Sequence, residues 1–267
     1  MFVWKYGKGF AETLDMKVLR RTFNIRKIYG LAVVICLWEI IHFIVNSKIV
    51  PGPYETAKAF LGLLSGNLVL HILSSLFRVL SAISVSAAAG VPLGLLTGMS
   101  RKADSFISPV MYILYPIPKI AFLPVFMILF GLGNSSKIVL VTSIIIFQIM
   151  LSARDGVREI PQEFYYSARS LGLSMFQIYM HIVVPAVLPK LFSAMRISMG
   201  MCIAALFFSE NFSTTFGIGY FIMNCWVMAD YLHMFAGILA LSLMGMLMFK
   251  VIDYAEKKLC PWLHLDS

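Results

Sequence analysis

The chain has 267 residues, 60% of them hydrophobic and only 13% charged, with a mean hydropathy of +0.85 and a formal charge of +9. Soluble domains carry about a quarter charged residues, so this composition excludes a fold that lives wholly in water. It predicts an all-α membrane protein. The excess Lys and Arg lie along the margins of apolar runs, with no basic stripe for a phosphate backbone to follow, which argues against a nucleic-acid partner.

In chain order, residues 1–27 are a polar lead, read as a cytoplasmic segment. No small-residue cleavage site follows the first apolar run, which therefore reads as an uncleaved span rather than a signal peptide. About 20 apolar residues are needed to cross the hydrocarbon core, and six runs qualify or nearly so. The first is Ile28 to Asn46. The second, Leu80 to Met99, is rich in Ala, Gly and Ser, which suits close helix crossings. The third, Ser105 to Leu132, is interrupted by Pro109, Pro116, Pro118 and Pro124, each expected to kink it. Gly131 to Lys137 reads as a tight turn into the fourth, Ile138 to Leu151. The fifth is Ala186 to Phe208 and the sixth Met234 to Ile252. Residues 28–254 thus form one six-span domain that includes a polar loop at 153–185, and 255–267 a cytoplasmic tail.

Lys and Arg collect in cytoplasmic loops. With the N-terminus inside, the interior segments hold sixteen of the 22 basic residues. The exterior keeps Lys48, Lys58, Arg78 and Lys137. Both termini are therefore expected in the cytoplasm, and the loop at 153–185 with them. Thr214 to Tyr231 then reads as an external loop whose rings (Phe216, Tyr220, Phe221, Trp226 and Tyr231) suit the membrane interface.

Catalytic signatures are missing: the chain has no H-E-x-x-H, G-x-S-x-G or C-x-x-C. The four cysteines are scattered, which indicates neither a disulfide framework nor a metal site. The chain is not expected to be an enzyme, and any ATP hydrolysis must occur on another chain.

The most specific stretch is the loop itself. After Pro161, the apolar residues Phe164, Tyr165, Ala168 and Leu171 follow helical spacing, and Gly172 ends or turns that helix. A second helical stretch, Ser174 to Ile182, has Ser174 placed as its N-cap, and Pro185 marks entry into the fifth span. Taken by itself this is equally an amphipathic hairpin on the membrane surface or a projecting knob.

The segment resembles the coupling motif of ABC importer permeases, E-A-A-x3-G-x9-I-x-L-P. Aligned on Gly172, residues Tyr166, Ser167 and Ala168 take the E-A-A positions, Ile182 the Ile, Val184 the Leu and Pro185 the Pro. The glutamate is replaced, and Glu163 lies one turn upstream. The resemblance extends over residues 50–257 through Pro51-Gly-Pro53, Ser75-Leu-Phe-Arg78, Gly90-Val-Pro-Leu-Gly94, Ser108-Pro109 and Ile117-Pro118 before Leu123-Pro124. It continues through Phe130-Gly-Leu-Gly133 with Ser136-Lys137, and Glu210 before Gly217-Ile-Gly219. It is closest to the nitrate/sulfonate/taurine branch.

That resemblance implies a type I importer permease of six transmembrane helices with cytoplasmic coupling helices, in a bacterial or archaeal cytoplasmic membrane. A second permease copy, two ATPase subunits and an extracytoplasmic substrate-binding protein are the implied partners. The chain would bind no cofactor, with ATP and Mg on the partner ATPase. The implied ATPase-coupling residues are Tyr166, Ser167, Ala168, Gly172, Ile182 and Pro185.

Intramembrane charges are costly and mark functional candidates. Arg196 in the fifth span, Lys119 after a proline break and Glu210 near the external side are candidates for the translocation pathway of a small anion, and Arg196 could equally pair with a carboxylate. Glu39 in the first span suits a cap or a structural pair. The rival reading is a secondary carrier or channel without a motor, which predicts ion-coupling carboxylates at mid-membrane or inverted repeats. Only Glu39 is a convincing intramembrane carboxylate, and no repeat is evident.

Overall fold

The computed structural model describes residues 29–264, and every regular element among them is helical. In lipid a segment must satisfy its own backbone N–H and C=O groups, so runs this apolar coil into helices. The order is α1 (Tyr29–Val45), α2 (Pro53–Leu63), α3 (Leu68–Met99), α4 (Arg101–Leu114), a 3-10 turn (Lys119–Phe122), α5 (Leu123–Phe130) and α6 (Asn134–Arg158). Then follow α7 (Gln162–Ser170), α8 (Met175–Ile178), α9 (Val184–Glu210), α10 (Ile218–Val227) and α11 (Tyr231–Leu259). The segment read as residues 1–27 and the last residues of the tail lie outside the described residues.

Four long apolar helices correspond to expected spans: α3, α6, α9 joined to α8, and α11. The third expected span is not one rod. Its halves, α4 and α5 with the preceding 3-10 turn, bend by 83°. Pro116 and Pro118 each remove an N–H and clash with the preceding turn, so the chain breaks there. Pro109 and Pro124 sit inside or at the start of helices and are absorbed. α1 takes the remaining place in the order; Trp38 Nε1 donates to the Pro51 carbonyl at 3.1 Å, and its ring stacks on Phe235.

Helix ends and apolar ends differ. α3 starts twelve residues before Leu80, and its 32 residues reach about 48 Å, well beyond a core of about 30 Å. Arg78 already meets Asn134, the first residue of α6, and Glu210, the last of α9. The opening turns of α3 therefore stand beyond those helix ends. α11 likewise runs on to Leu259, past the 254 boundary, with Lys257 and Lys258 in a last turn whose dipole favours cations.

The expected external loop at 214–231 is largely helical. α10 buries Ile218, Gly219, Ile222 and Cys225 against α9 and α11. Phe216, Tyr220 and Phe221 gather around the buried His71 with ring centroids 5.4 to 6.0 Å away, Tyr220 and Phe221 half-buried and Phe216 at the exposed rim. Trp226 remains exposed. A ten-residue helix capped by Gly217 has too little sequence for its period to stand out from an aromatic interfacial loop.

The most extensive pairing joins α3 to α6. Gly90, Gly94 and Gly98 recur every four residues along α3, one face of the helix. A Cβ at Gly94 would stand 2.6 Å from Ala153 Cβ, and one at Gly98 2.6 Å from Val157 Cβ. Small residues at this spacing let two backbones approach closely, which supplies packing where lipid offers no hydrophobic drive. Gly94→Leu is expected to cost about 3 kcal/mol, the upper part of the overpacking range, because the added atoms meet backbone rather than a movable side chain. The measurement is the apparent melting temperature in detergent, with the Gly30→Leu control, in open space, expected to be unchanged.

Candidate functional site

The 153–185 segment folds into a knob at one end of the bundle. Pro161, with φ −58° and ψ 142°, leads into α7. Gly172 terminates it at φ +76°, in the left-handed region that glycine enters without a Cβ penalty. Leu173 N–H donates to the Ala168 carbonyl at 3.1 Å and Gly172 N–H to the Arg169 carbonyl at 2.9 Å, the paired bonds of a Schellman ending. α8 begins with a capping box: Gln177 N–H donates to Ser174 Oγ at 3.3 Å, and Ser174 N–H to Gln177 Oε1 at 2.8 Å.

Pro185 does not separate α8 from the fifth span. Helix runs unbroken from Met175 to Glu210, with a π-helical turn at Tyr179–Val183 just before the proline. A proline at position i clashes with the carbonyl at i−4 and offers no N–H. The wider turn makes room for the ring and removes the need for that bond, so the knob is continuous with α9.

The six expected coupling residues divide by burial. Tyr166 (63% exposed), Ser167 and Gly172 face outward, whereas Ala168 is buried and Ile182 and Pro185 are half-buried. The inner three seat the knob on the bundle. Tyr165 is half-buried beside them, and burial pushes its phenol above the ordinary value. The outer surface is broader than the six: Phe164 and Leu171, read from sequence only as helical spacing, and Met175 and Phe176 are all more than half exposed and extend the apolar face around Tyr166. Exposed apolar residues on a polar loop were the available signal.

Beside α7 lies a cleft of about 400 Å³ lined by Arg101, Arg158, Arg169, Gln162, Tyr165 and Tyr166, among others, and by no carboxylate. Its floor is stiffened from α4, where Asp104 pairs with Arg158 at 2.5 Å and lies 3.3 Å from Arg154. The Arg154 guanidinium in turn stands 5.3 Å from the Tyr112 ring centroid. The replacement of glutamate by Tyr166 therefore leaves this face basic. Glu163, one turn upstream, is exposed and does not line the cleft.

At the opposite end, Glu210 belongs to a buried polar knot. Its carboxylate accepts from Arg78 Nη1 at 2.5 Å, Ser75 Oγ at 2.7 Å and Gly219 N–H at 2.8 Å. Ser75 Oγ also accepts from Ile218 N–H at 2.8 Å, and Arg78 Nε donates to Asn134 Oδ1 at 2.9 Å. His71 Nδ1 lies 3.0 Å from both the N–H and the carbonyl of Gly217 and satisfies one of them according to its tautomer. A Cβ at Gly217 would stand 2.5 Å from Glu210 Cδ, which is why a glycine stands there. Lys137, also buried, donates to the carbonyls of Leu132, Gly133 and Ser213. The knot joins α3, α6, α9 and α10, and Glu210 is fully buried within it.

Arg196 is likewise held. It pairs with Asp253 at 2.9 Å and with Glu256, both on α11. Lys119 stands apart from these two. It follows the break between α4 and α5, its ammonium donates to the Tyr115 carbonyl, and it lies 5.0 Å from the Phe147 ring centroid. Glu39 is half-exposed on α1 and enters no ion pair among the described residues.

The family described as binding-protein-dependent transport system inner membrane component matches residues 90–260. The Bacillus subtilis protein SsuC, provisionally named an aliphatic sulfonates transport permease, is 28% identical over 261 residues, covering 96% of this chain and 94% of its own. The taurine transport system permease protein TauC of Escherichia coli is 26% identical, covering 87% of each chain. The nitrate import permease protein NrtB of Synechococcus elongatus is 28% identical, covering 73% of this chain and 74% of its own. Among solved structures, a chain of the MetNI methionine ABC transporter in inward-facing conformations superposes with a TM-score of 0.61 at 20% identity. It covers 72% of this chain and 95% of that one.

Proposed function

Because this chain belongs to the inner membrane components of binding-protein-dependent transport systems, we propose that it pairs with a second copy of itself to form a pathway for a small anion. It is a permease subunit of an ATP-binding-cassette importer. In this reading a binding protein delivers the solute at the α10 end, and two ATPase subunits, carrying ATP and Mg, dock on the knob. The knob end faces the cytoplasm in this reading, which the distribution of Lys and Arg supports. Relatives named for sulfonates and nitrate support an anionic cargo, and taurine, though zwitterionic, shares the sulfonate head.

The observation that carries the proposal is the knob itself. Phe164, Tyr166, Leu171, Met175 and Phe176 expose an apolar face on a loop that is otherwise polar. Such a face beside a basic cleft suits a partner with an apolar groove and acidic rim. Closure of the ATPase pair would push the knobs together and turn the pathway outward as a rigid-body change. Arg196 and Glu210, each tied to charged partners within the chain, serve to fix helices, and Lys119 is the pathway residue.

The test is purification of the chain with its neighbouring subunits, followed by reconstitution in vesicles. A copurifying ATPase and uptake that requires ATP are expected. Uptake driven by an ion gradient through this chain alone would overturn the proposal in favour of a secondary carrier.

A further inference from the structure

A cavity of about 420 Å³ lies where the α4–α5 break faces α6 and α9. Its polar lining consists of Tyr115, Lys119 and Gln148, and its walls include Ile117, Ile144 and Met201. Gln148 is fourteen residues into α6, about 21 Å from its start, so the cavity sits near the middle of the bundle.

Charge accounting points to Lys119. Among the described residues Arg78, Arg154, Arg158, Lys190 and Arg196 each have a carboxylate within 4.0 Å, whereas Lys119 and the buried Lys137 have none. Lys137 donates to three backbone carbonyls, so of these two Lys119 is the one with N–H groups to spare. Its ammonium has three N–H groups, and the Tyr115 carbonyl accepts from one. An intramembrane cation lacking a resident counter-ion is a costly feature whose usual role is to meet a mobile one. Tyr115 Oη donates to Gln148 Oε1 at 3.0 Å, which leaves the Gln148 amide N–H₂ as a further donor. The polar edge of the cavity thus presents donors, and no carboxylate lines it to receive a ligand's ammonium.

Resting on the reading of this chain as a pathway for anions, we infer that the cavity is a binding step selective for an organic monoanion with an apolar tail, an alkyl sulfonate or similar oxyanion. Lys119 and Gln148 hold the head, and Ile117, Ile144 and Met201 receive the tail. Nitrate has no tail to bury against those walls. Taurine carries an ammonium that would enter an apolar space unpaired, at a cost larger than the head-group contacts recover. The volume, within the range of small-molecule sites, suits a head and a short chain.

The experiment uses the assembled transporter in detergent and measures equilibrium binding of radiolabelled 1-butanesulfonate, taurine and nitrate. Saturable binding of 1-butanesulfonate is expected, at least about tenfold tighter than that of the other two. Lys119→Met is expected to weaken it about tenfold or more, and Lys119→Arg to retain most of it. Melting temperature and ATPase content should be the same in all three proteins. Equal affinity for the three solutes, binding of none, or unchanged affinity in Lys119→Met overturns the inference. A complex that fails to copurify with an ATPase overturns the importer assembly instead, so the two failures are separable.

Discussion

Glu210→Ala is expected to destabilise the protein by about 3–5 kcal/mol, the cost of breaking a buried ion pair from one side. The reason is what remains: Arg78, with a side chain only 5% exposed, keeps its charge without the carboxylate. Ser75 Oγ and Gly219 N–H lose their acceptor as well. Apparent melting in detergent and the monodisperse fraction on gel filtration measure the loss. The double replacement Arg78→Met with Glu210→Leu removes both charges and is expected to recover part of it. Recovery should be incomplete, because Gly219 N–H and Asn134 still lack partners. If Glu210→Ala melts at the native temperature, the knot is not a determinant of the fold.

Gly172→Val is expected to behave in the opposite way, with the fold kept and transport lost. At φ +76° a side chain is strained, by about 1–3 kcal/mol for a residue that is neither glycine nor asparagine. Nothing stands within 4 Å of the position where its Cβ would be, so the strain stays local. It relaxes by unwinding the Schellman ending and moving Tyr166 relative to Phe176. Membrane insertion and melting should change little, while ATP-dependent uptake should fall by about tenfold or more. Gly172→Asn, whose side chain tolerates the left-handed region, is expected to retain a large share of uptake. Equal uptake by the valine variant and the native protein would show that the knob's geometry does not govern coupling.

The spans were legible because about 20 apolar residues leave the backbone no choice in lipid. Their ends were less so. Residues 68–79 are helical without being confined to the apolar layer, and hydropathy reports only the layer. The break at Pro116 and Pro118 was visible as a kink, but its 83° depends on how α6 and α9 receive the two halves. α10 was hidden because a helix packed beside glycines and aromatic rings resembles an interfacial loop in composition.

The knob shows the same division. Gly172, Ser174 and the spacing between them carry their geometry locally, so the turn and the cap could be read from sequence. The burial of Ala168 and the continuity through Pro185 depend on tertiary packing and could not. Charges were the hardest to place. Arg196, Glu210 and Lys119 look alike in sequence, each a single ionisable residue in an apolar run. Partners 57 and 60 residues away hold Arg196, and one 132 residues away holds Glu210.

The unbroken helix from Met175 to Glu210 makes one lever about 54 Å long. One end projects as the knob, the other is clamped by Glu210, and Met201 on its shaft forms a wall of the Lys119 cavity. With a fixed far end, a stroke applied at the knob swings the shaft about that anchor. The cavity wall, nearer the pivot, moves by a smaller fraction of the stroke. A displacement at the knob is thus geared down at the Lys119 cavity, and the π-helical turn is where a twist could be lost before it reaches the shaft.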